Sequence, residues 1–241
     1  MIEKFQKEFI LESAKSWFKN IIAQNHIKNT AILSDPSEFN INPFLVKYLA
    51  RFLTGSCDPI SIAKALIYPR VLGTSINTSF GTNAQKFVSD VLGSFGSVIS
   101  GIDIEFIDQL DQRKKYCQVK LGPNTINKDD VETINRHFSS VRNLARTNNL
   151  KLEYNDLIVG VLYGDNNQLS AHYKKLEQAH HCPVYTGNEF WERLTGDTHF
   201  YNELSSAISS IAMEYDSSHL LEETITKLAA SPEVIKLAEK T

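Results

Sequence analysis

The sequence contains no glycine-rich phosphate loop. Neither GxGxxG nor GxxxxGK[ST] occurs, which removes the usual cradles for dinucleotides and nucleoside triphosphates. GxSxG is missing too, and with it the strand-to-helix elbow of a serine hydrolase. Cysteine is scarce: Cys57, Cys117 and Cys182 are an odd set without metal-ligand spacing, so they read as reduced thiols in a cytoplasm. His180-His181 beside Cys182 does not change this, because adjacent residues at a helix end point about 100° apart, and no CxxC or HxxxH accompanies them. No apolar run approaches the roughly 18 residues that span a bilayer. The start of the chain, MIEKFQKEFILESAK, is broken by charges where a signal peptide would have its apolar stretch. No membrane partner is expected, and internal repeats and low-complexity tracts are absent.

What is present is an ordinary globular composition, with 42% hydrophobic and 22% charged residues. The 241 residues suffice for one sizeable core. A net charge of −3 argues against a protein that coats nucleic acid, but the charge is uneven. Arg113, Lys114, Lys115, Lys120, Lys128, Arg136, Arg142, Arg146 and Lys151 lie close together in the chain, and between Arg113 and Lys151 only Asp129, Asp130 and Glu132 oppose them. Acids dominate beyond Tyr185. Such a basic middle suits a protein that meets a polyanion with one face, and it equally suits solvated helix surfaces.

Apolar residues at Phe5, Phe9, Ile10, Trp17, Phe18, Ile21 and Ile22 are near helical spacing and predict an amphipathic helix over residues 3–25. Asn42-Pro43 starts a second helix with its own apolar face, INPFLVKYLARFL. Asp58-Pro59 opens a third, which Pro69 should stop at Tyr68. The stretch YPRVLGTSINTSFGTNAQKF follows, crowded with small polar side chains around Gly73 and Gly81. It reads as a loop whose free amides could hold phosphate, or as plain surface. Beyond residue 127 a helix capped by Asn127, a buried strand DLIVGVLYG, a helix, the short strand CPVYTG and the helix NEFWERL alternate. From Phe200 the pattern is helical, with breaks near Asp216-Ser217-Ser218 and at Ser231-Pro232. The class is α/β: a mixed central β-sheet flanked by helices, with a helical N-terminal region and a helical C-terminal tail. We expect one compact domain in which residues 1–75 form a helical region, 76–199 the α/β core and 200–241 a helical extension.

The most informative stretch is GIDIEFIDQLDQRKKYCQVKL, residues 101–121. Two period-two segments, Ile102–Ile107 and Lys115–Leu121, flank a polar turn and predict a hairpin. Alternation puts Asp103 and Glu105 on one face of the first strand, and Tyr116, Gln118 and Lys120 on one face of the second. With Asp103 opposite Lys120, Glu105 falls opposite Gln118. That brings two carboxylates, a carboxamide and an ammonium onto one patch. Mg²⁺ keeps several waters and needs few protein oxygens, so Asp103 and the Val119 carbonyl could hold it. Lys120 would orient the attacking water and balance charge on a phosphodiester. The competing explanation is a cross-strand ion pair, worth roughly 0.2–1 kcal/mol.

Asp103 followed by Gln118-Val119-Lys120 resembles the catalytic hairpin of the PD-(D/E)XK nucleases. Ile102 stands at the motif's proline and Gln118 at its second acid. NPF at 42–44, YPRVLG at 68–73, the IDIEF…QVKLG segment, IVGVLYGDNNQLSAHYKKL at 158–176 and VYTGNEFW at 184–191 occur in this order. Together, over Asn42 to Leu194, they resemble type II restriction endonucleases that cut at GGNCC and related sites. The resemblance implies a homodimer on palindromic double-stranded DNA, Mg²⁺-dependent cleavage and readout of G·C pairs in the major groove, with residues 1–75 serving DNA binding or dimerisation and 76–199 as the catalytic core. Candidate DNA-binding residues are Arg70, Asn77, Thr78, Asn124, Asn127 and Lys128, with Asn166, Asn167 and Gln168 along the groove. Because Gln118 brings no charge, Glu105 is the candidate for the missing acid. Within the same chemistry the runner-up is a structure-specific repair or recombination nuclease; readings of another kind are a DNA-binding protein with a decayed nuclease site and a metabolic enzyme in which Asp103 and Lys120 form a structural pair.

Overall fold

The computed structural model describes residues 2–214 and 216–239. In chain order the helices begin with α1 (Lys4–Trp17), α2 (Gln24–Ala31), α3 (Val46–Thr54), α4 (Pro59–Pro69), α5 (Ile76–Thr82) and α6 (Ala84–Val91). Strands β1 (Ile104–Ile107) and β2 (Lys114–Lys120) precede α7 (Lys128–Thr147), β3 (Leu157–Val161), α8 (Ala171–His180) and β4 (Val184–Thr186). Four helices complete the chain: α9 (Gly187–Thr195), α10 (Phe200–Ala212), α11 (Ser218–Ala229) and α12 (Pro232–Glu239). Among the described residues no helix is long and apolar enough to cross a membrane.

The chain divides into two compact units, one of Met1–Trp17 with Ala84–Ser210 and one of Phe18–Asn83 with Ile211–Thr241. The first holds the sheet, ordered β1-β2-β3-β4, with β1 antiparallel to β2 and the other neighbours parallel. This is the mixed sheet flanked by helices that the alternation of apolar periods predicts. Helices α7 and α8 provide the crossovers that parallel neighbours require. Val131, Ile134, Phe138 and Val141 of α7 join Leu157, Val159 and Val161 of β3 and Tyr173 and Leu176 of α8 in one core. The opposite face receives Phe190 of α9, whose ring fills the space where a Cβ on Gly160 would stand. Every residue of β3 is therefore buried, as its unbroken apolar run requires.

The second unit is helical around a core of Ile62, Ala63 and Ile67 of α4, Val46 and Ala50 of α3, and Ile225 and Leu228 of α11. Asp58 caps α4 by accepting from the Ser61 amide at 2.8 Å, and Pro59 follows it.

Several local expectations need correction. Residues 3–25 are not one helix, because a π-helical turn, Phe18–Ala23, separates α1 from α2. Pro69 does not end the helix at Tyr68. It closes α4, and the chain continues through a π-helical turn, Arg70–Ser75, into α5. A proline lacks the amide for the ordinary helical bond, and the wider turn accommodates that loss. The stretch read as a loop, phosphate-holding or plain surface, is thus mostly helical. The apolar face expected on the second helix exists, but Phe44, Tyr48 and Phe52 stand in solvent.

Candidate active site

Strands β1 and β2 pair Ile104 with Cys117 and Glu105 with Tyr116. Carried one step further, this register sets Asp103 beside Gln118, whereas Lys120 was expected there, and Glu105 does not face Gln118. The hairpin is two residues tighter than expected because Lys114 belongs to β2. Its turn is fastened by Asp108, whose Oδ1 accepts from the Leu110 amide at 2.8 Å, and by Gln112 at φ +58°. A slip of two residues keeps every side chain on its face. Asp103, Gln118 and Lys120 therefore still share one side of the sheet, with Asp103 and Lys120 as diagonal neighbours.

Asp103 is half-buried just before β1, and its Oδ2 accepts from the Val119 amide at 2.7 Å. Burial pushes its carboxyl above the usual carboxylate range, against the pull of that amide and of Lys120 and His137 nearby. Within a strand the N–H and C=O of one residue point to the same side. The Val119 carbonyl thus lies on the Asp103 side of β2, at a level where β1 has not yet begun.

Gln118 is clamped from behind. Its Nε2 donates to the Gly101 carbonyl, and it meets His137 Nδ1 at 2.7 Å. A backbone carbonyl can only accept, so the amide nitrogen must occupy that end. The second N–H of that nitrogen points to His137 Nδ1, and Oε1 is the end of the amide left for a ligand. Gly101 makes the clamp possible: its φ is +82°, and a Cβ there would lie 2.4 Å from His137 Cγ.

Lys120 ends β2 with its Nζ 3.8 Å from Asp130 Oδ1. Asp130 is itself fixed, since its Oδ2 accepts from the Asn127 amide at 2.9 Å while Asn127 Oδ1 accepts from the Asp130 amide at 3.0 Å. This capping box starts α7. Asp130 and His137 are seven residues apart on α7, which sets them on one helix face. Both touch the sheet residues from above. Glu105 shares the face but is engaged at both oxygens, by Ser97 Oγ at 2.5 Å and by Lys114 Nζ at 2.6 Å. Burial works against its charge, yet these two contacts hold the carboxyl below the usual range.

The free donors here are hard oxygens: Asp103 Oδ1, Gln118 Oε1 and the Val119 carbonyl. Among the described residues no three His, Cys, Asp or Glu side chains converge. Such a set suits a hydrated Mg²⁺-like cation and not a tetrahedral zinc.

The remaining candidates fall into two groups. Asn124, Asn127 and Lys128 lie in the segment leaving β2, and Asn166, Asn167 and Gln168 form a 3₁₀ turn after β3. The strands are parallel, so both segments sit at the end of the sheet where Lys120 is. All six residues are exposed. Their backbones are closely packed, with Ser170 N donating to Pro123 O at 3.0 Å and Tyr173 Oη to Gly122 O at 3.0 Å. Arg70, Asn77 and Thr78 belong to the helical unit. Arg70 and Thr78 border a cavity of about 690 Å³ there, along with Asn25, Asn29, Ser79 and Asn83, and no carboxylate lines it. Arg70 Nη1 donates to the Glu38 carbonyl at 3.0 Å, and the Ser79 hydroxyl is buried without a partner among the described residues.

The basic middle is less available than its sequence suggests. Arg113 forks onto Asp156, Lys115 is fully buried with Asp111 at 2.5 Å, and Lys151 reaches Glu153 at 3.5 Å. With Lys114 and Lys120 paired as well, Lys128, Arg136 and Arg146 are the exposed cations of that set without an ion pair among the described residues. Asp130, which pairs with Lys120, lies within the stretch from Arg113 to Lys151, whereas Glu105, Asp111, Glu153 and Asp156, which pair with Lys114, Lys115, Lys151 and Arg113, lie outside it. Sequence reasoning also missed His137, Gly101 and Asp130. For Asp130 the signal was legible in its spacing from Asn127. For the other two it was not, since nothing in the sequence joins residues 101, 118 and 137.

The family model described as type II restriction endonuclease EcoO109I matches residues 40–216, which include the hairpin, the capping box and all the candidate residues above. No curated protein matches the chain.

Proposed function

This chain belongs to the type II restriction endonuclease EcoO109I family, and from that footing we propose that it cuts both strands of DNA at a short palindrome of the GGNCC type, as a Mg²⁺-dependent homodimer in the cytoplasm. A type II restriction endonuclease is a site-specific deoxyribonuclease, so the reaction is phosphodiester hydrolysis. The observation that carries the mechanistic reading is the shared face of Asp103, Gln118 and Lys120, each fixed by a separate partner.

Asp103 Oδ1, Gln118 Oε1 and the Val119 carbonyl would hold the cation. Bound there, Mg²⁺ supplies positive charge against the scissile phosphate. With Asp103 as the only formal charge, the donor set favours one ion over two. Glu105 would have to leave Ser97 and Lys114 to take part. Lys120 directs its N–H donors at the attacking water and at the phosphate oxygens that gain charge. Asp130 limits where that ammonium can swing. In-line attack then leaves a 5′-phosphate and a 3′-hydroxyl. Asn124, Asn127, Lys128, Asn166, Asn167 and Gln168 would meet the duplex beside the scissile bond. Arg70, Asn77 and Thr78 would contact it from the helical unit, for which Arg70 and a cavity wall without acids are suited.

The test is direct. The protein is incubated with a sequenced plasmid and Mg²⁺, and the ends are mapped by sequencing. Discrete double-strand ends at one palindromic word, ligatable without kinase treatment, are expected. Cutting that follows branches or mismatches and ignores sequence would replace this reading with a repair nuclease. Salt-dependent binding without any product would mark a decayed site.

A further inference from the structure

The largest unexplained feature outside the nuclease site is one side of α3. Helix α3 turns Val46 and Ala50 into the core of its unit. Its other side, with the turn leading into it, presents Phe44, Leu45, Tyr48, Leu49, Phe52 and Leu53 to solvent. Phe44 is 91% exposed, Phe52 80%, Tyr48 64%, and the three leucines 45–50%. The six fall on two adjacent rows four residues apart, 44-48-52 and 45-49-53, which form one continuous ridge on a helix.

Size decides what this ridge is. With about 200 Å² on an aromatic side chain and somewhat less on a leucine, it leaves on the order of 700 Å² of apolar surface in water. The largest apolar patch on a soluble monomer is usually about 300–600 Å², and a standard protein interface takes about 800 Å² from each side. The ridge thus exceeds what a monomer tolerates and nearly fills one half of an interface. Its flanks carry Lys47 and Arg51, and α3 has no acid, so it offers nothing to a cationic partner.

We infer that this ridge packs against the same ridge of a second copy of the chain, with α3 and its counterpart antiparallel about a two-fold axis near Tyr48 and Leu49. The inference rests on the homodimeric endonuclease proposed above and names the surface that makes the dimer. Rows spaced by four residues interdigitate with their own copies, which gives the self-complementarity that an isologous interface requires. The axis follows from the ridge itself, whose midpoint lies between Tyr48 and Leu49.

Sedimentation equilibrium on the full chain, with and without Phe52→Glu, tests this. Phe52 projects into solvent, so its replacement leaves the fold of one copy intact, which circular dichroism verifies. The wild-type protein should be a dimer. Phe52→Glu should weaken the dimer on the order of 100-fold, as loss of an aromatic anchor from a packed interface does. Independently, Leu49→Cys in a Cys57→Ser background should form an intersubunit disulfide on mild oxidation, which decides the matter if Phe52→Glu proves misfolded. A wild-type dimer that Phe52→Glu leaves intact and Leu49→Cys does not link would overturn the ridge as the interface while leaving the dimeric endonuclease standing. A monomeric wild-type chain at micromolar concentration would overturn both the interface and the dimer and assign the ridge to a different protein or a lipid surface. Plasmid digestion would then still report whether the chain cuts DNA.

Discussion

Gly101→Ala strikes the clamp on Gln118 at a position where the magnitudes can be worked from the structure. At φ +82° a side chain is strained by about 1–2 kcal/mol. The new Cβ would stand 2.4, 2.6 and 2.8 Å from His137 Cγ, Nδ1 and Cδ2, so the ring must move, an overpacking that costs about 1–3 kcal/mol. Reduced freedom of the unfolded chain returns about 0.4–1 kcal/mol. The net loss is about 1–4.6 kcal/mol. Trp17 and Trp191, the chain's two tryptophans, both belong to the unit that contains Gly101, so urea unfolding followed by their fluorescence reads this loss directly. Adding His137→Ala removes the ring and with it the steric part. The double variant should be less destabilised than the sum of the singles by at least about 1 kcal/mol. A displaced ring also frees the Gln118 amide to rotate, and metal affinity by calorimetry should fall about 10–100-fold in Gly101→Ala, as it does when a ligand loses its outer partner. Additive destabilisation together with unchanged metal binding would refute both the left-handed backbone at Gly101 and the role of His137 behind Gln118.

Two further outcomes follow from the same site. Gln118→Ala should lower Mg²⁺ affinity and cleavage together, while Glu105→Gln, which removes a group already held by Ser97 and Lys114, should leave affinity little changed; the reverse pattern, read by calorimetry and plasmid digestion, makes Glu105 the ligand. Asp103 is pushed up by burial, so between its ordinary value of 3.8 and its raised folded value the native state binds more protons than the unfolded chain. Its contribution to stability is complete below the ordinary value and is lost as pH rises through the folded one. Asp103→Asn should therefore be more stable than the parent at neutral pH without metal, equal to it in acid, and unresponsive to Mg²⁺ in denaturation; a variant less stable than the parent at neutral pH contradicts this.

The polarity of the hairpin was legible because alternation needs only local residues, and Asp103, Gln118 and Lys120 are on one face as that alternation requires. The register was not, since it depends on how Asp108 and Gln112 shape the turn. The helical capping at Asn127 could be read from spacing, whereas Arg113 pairs with Asp156 and Lys115 donates to the Asn155 carbonyl, partners some forty residues away. The stretch after Pro69 misled because glycine, serine and threonine favour loops in isolation, and a helix there is stabilised by tertiary packing that composition does not record. How Gln118 is held depends on three separate segments meeting, and only coordinates bring them together.

Helix α1 finds its partners far along the chain. Trp17 waits for Phe87, whose ring it meets edge-on at 5.0 Å, Lys7 for Asp197 at 2.6 Å, and the amide of Ile2 for the Thr195 carbonyl at 3.0 Å. Between those partners the whole helical stretch from Phe18 to Asn83 must be made and set aside. Contacts so distant along the chain close slowly. The unit that holds the sheet therefore cannot be finished before most of the polypeptide exists, and a copy without residues 2–17 would lose part of that unit's packing, however intact the hairpin.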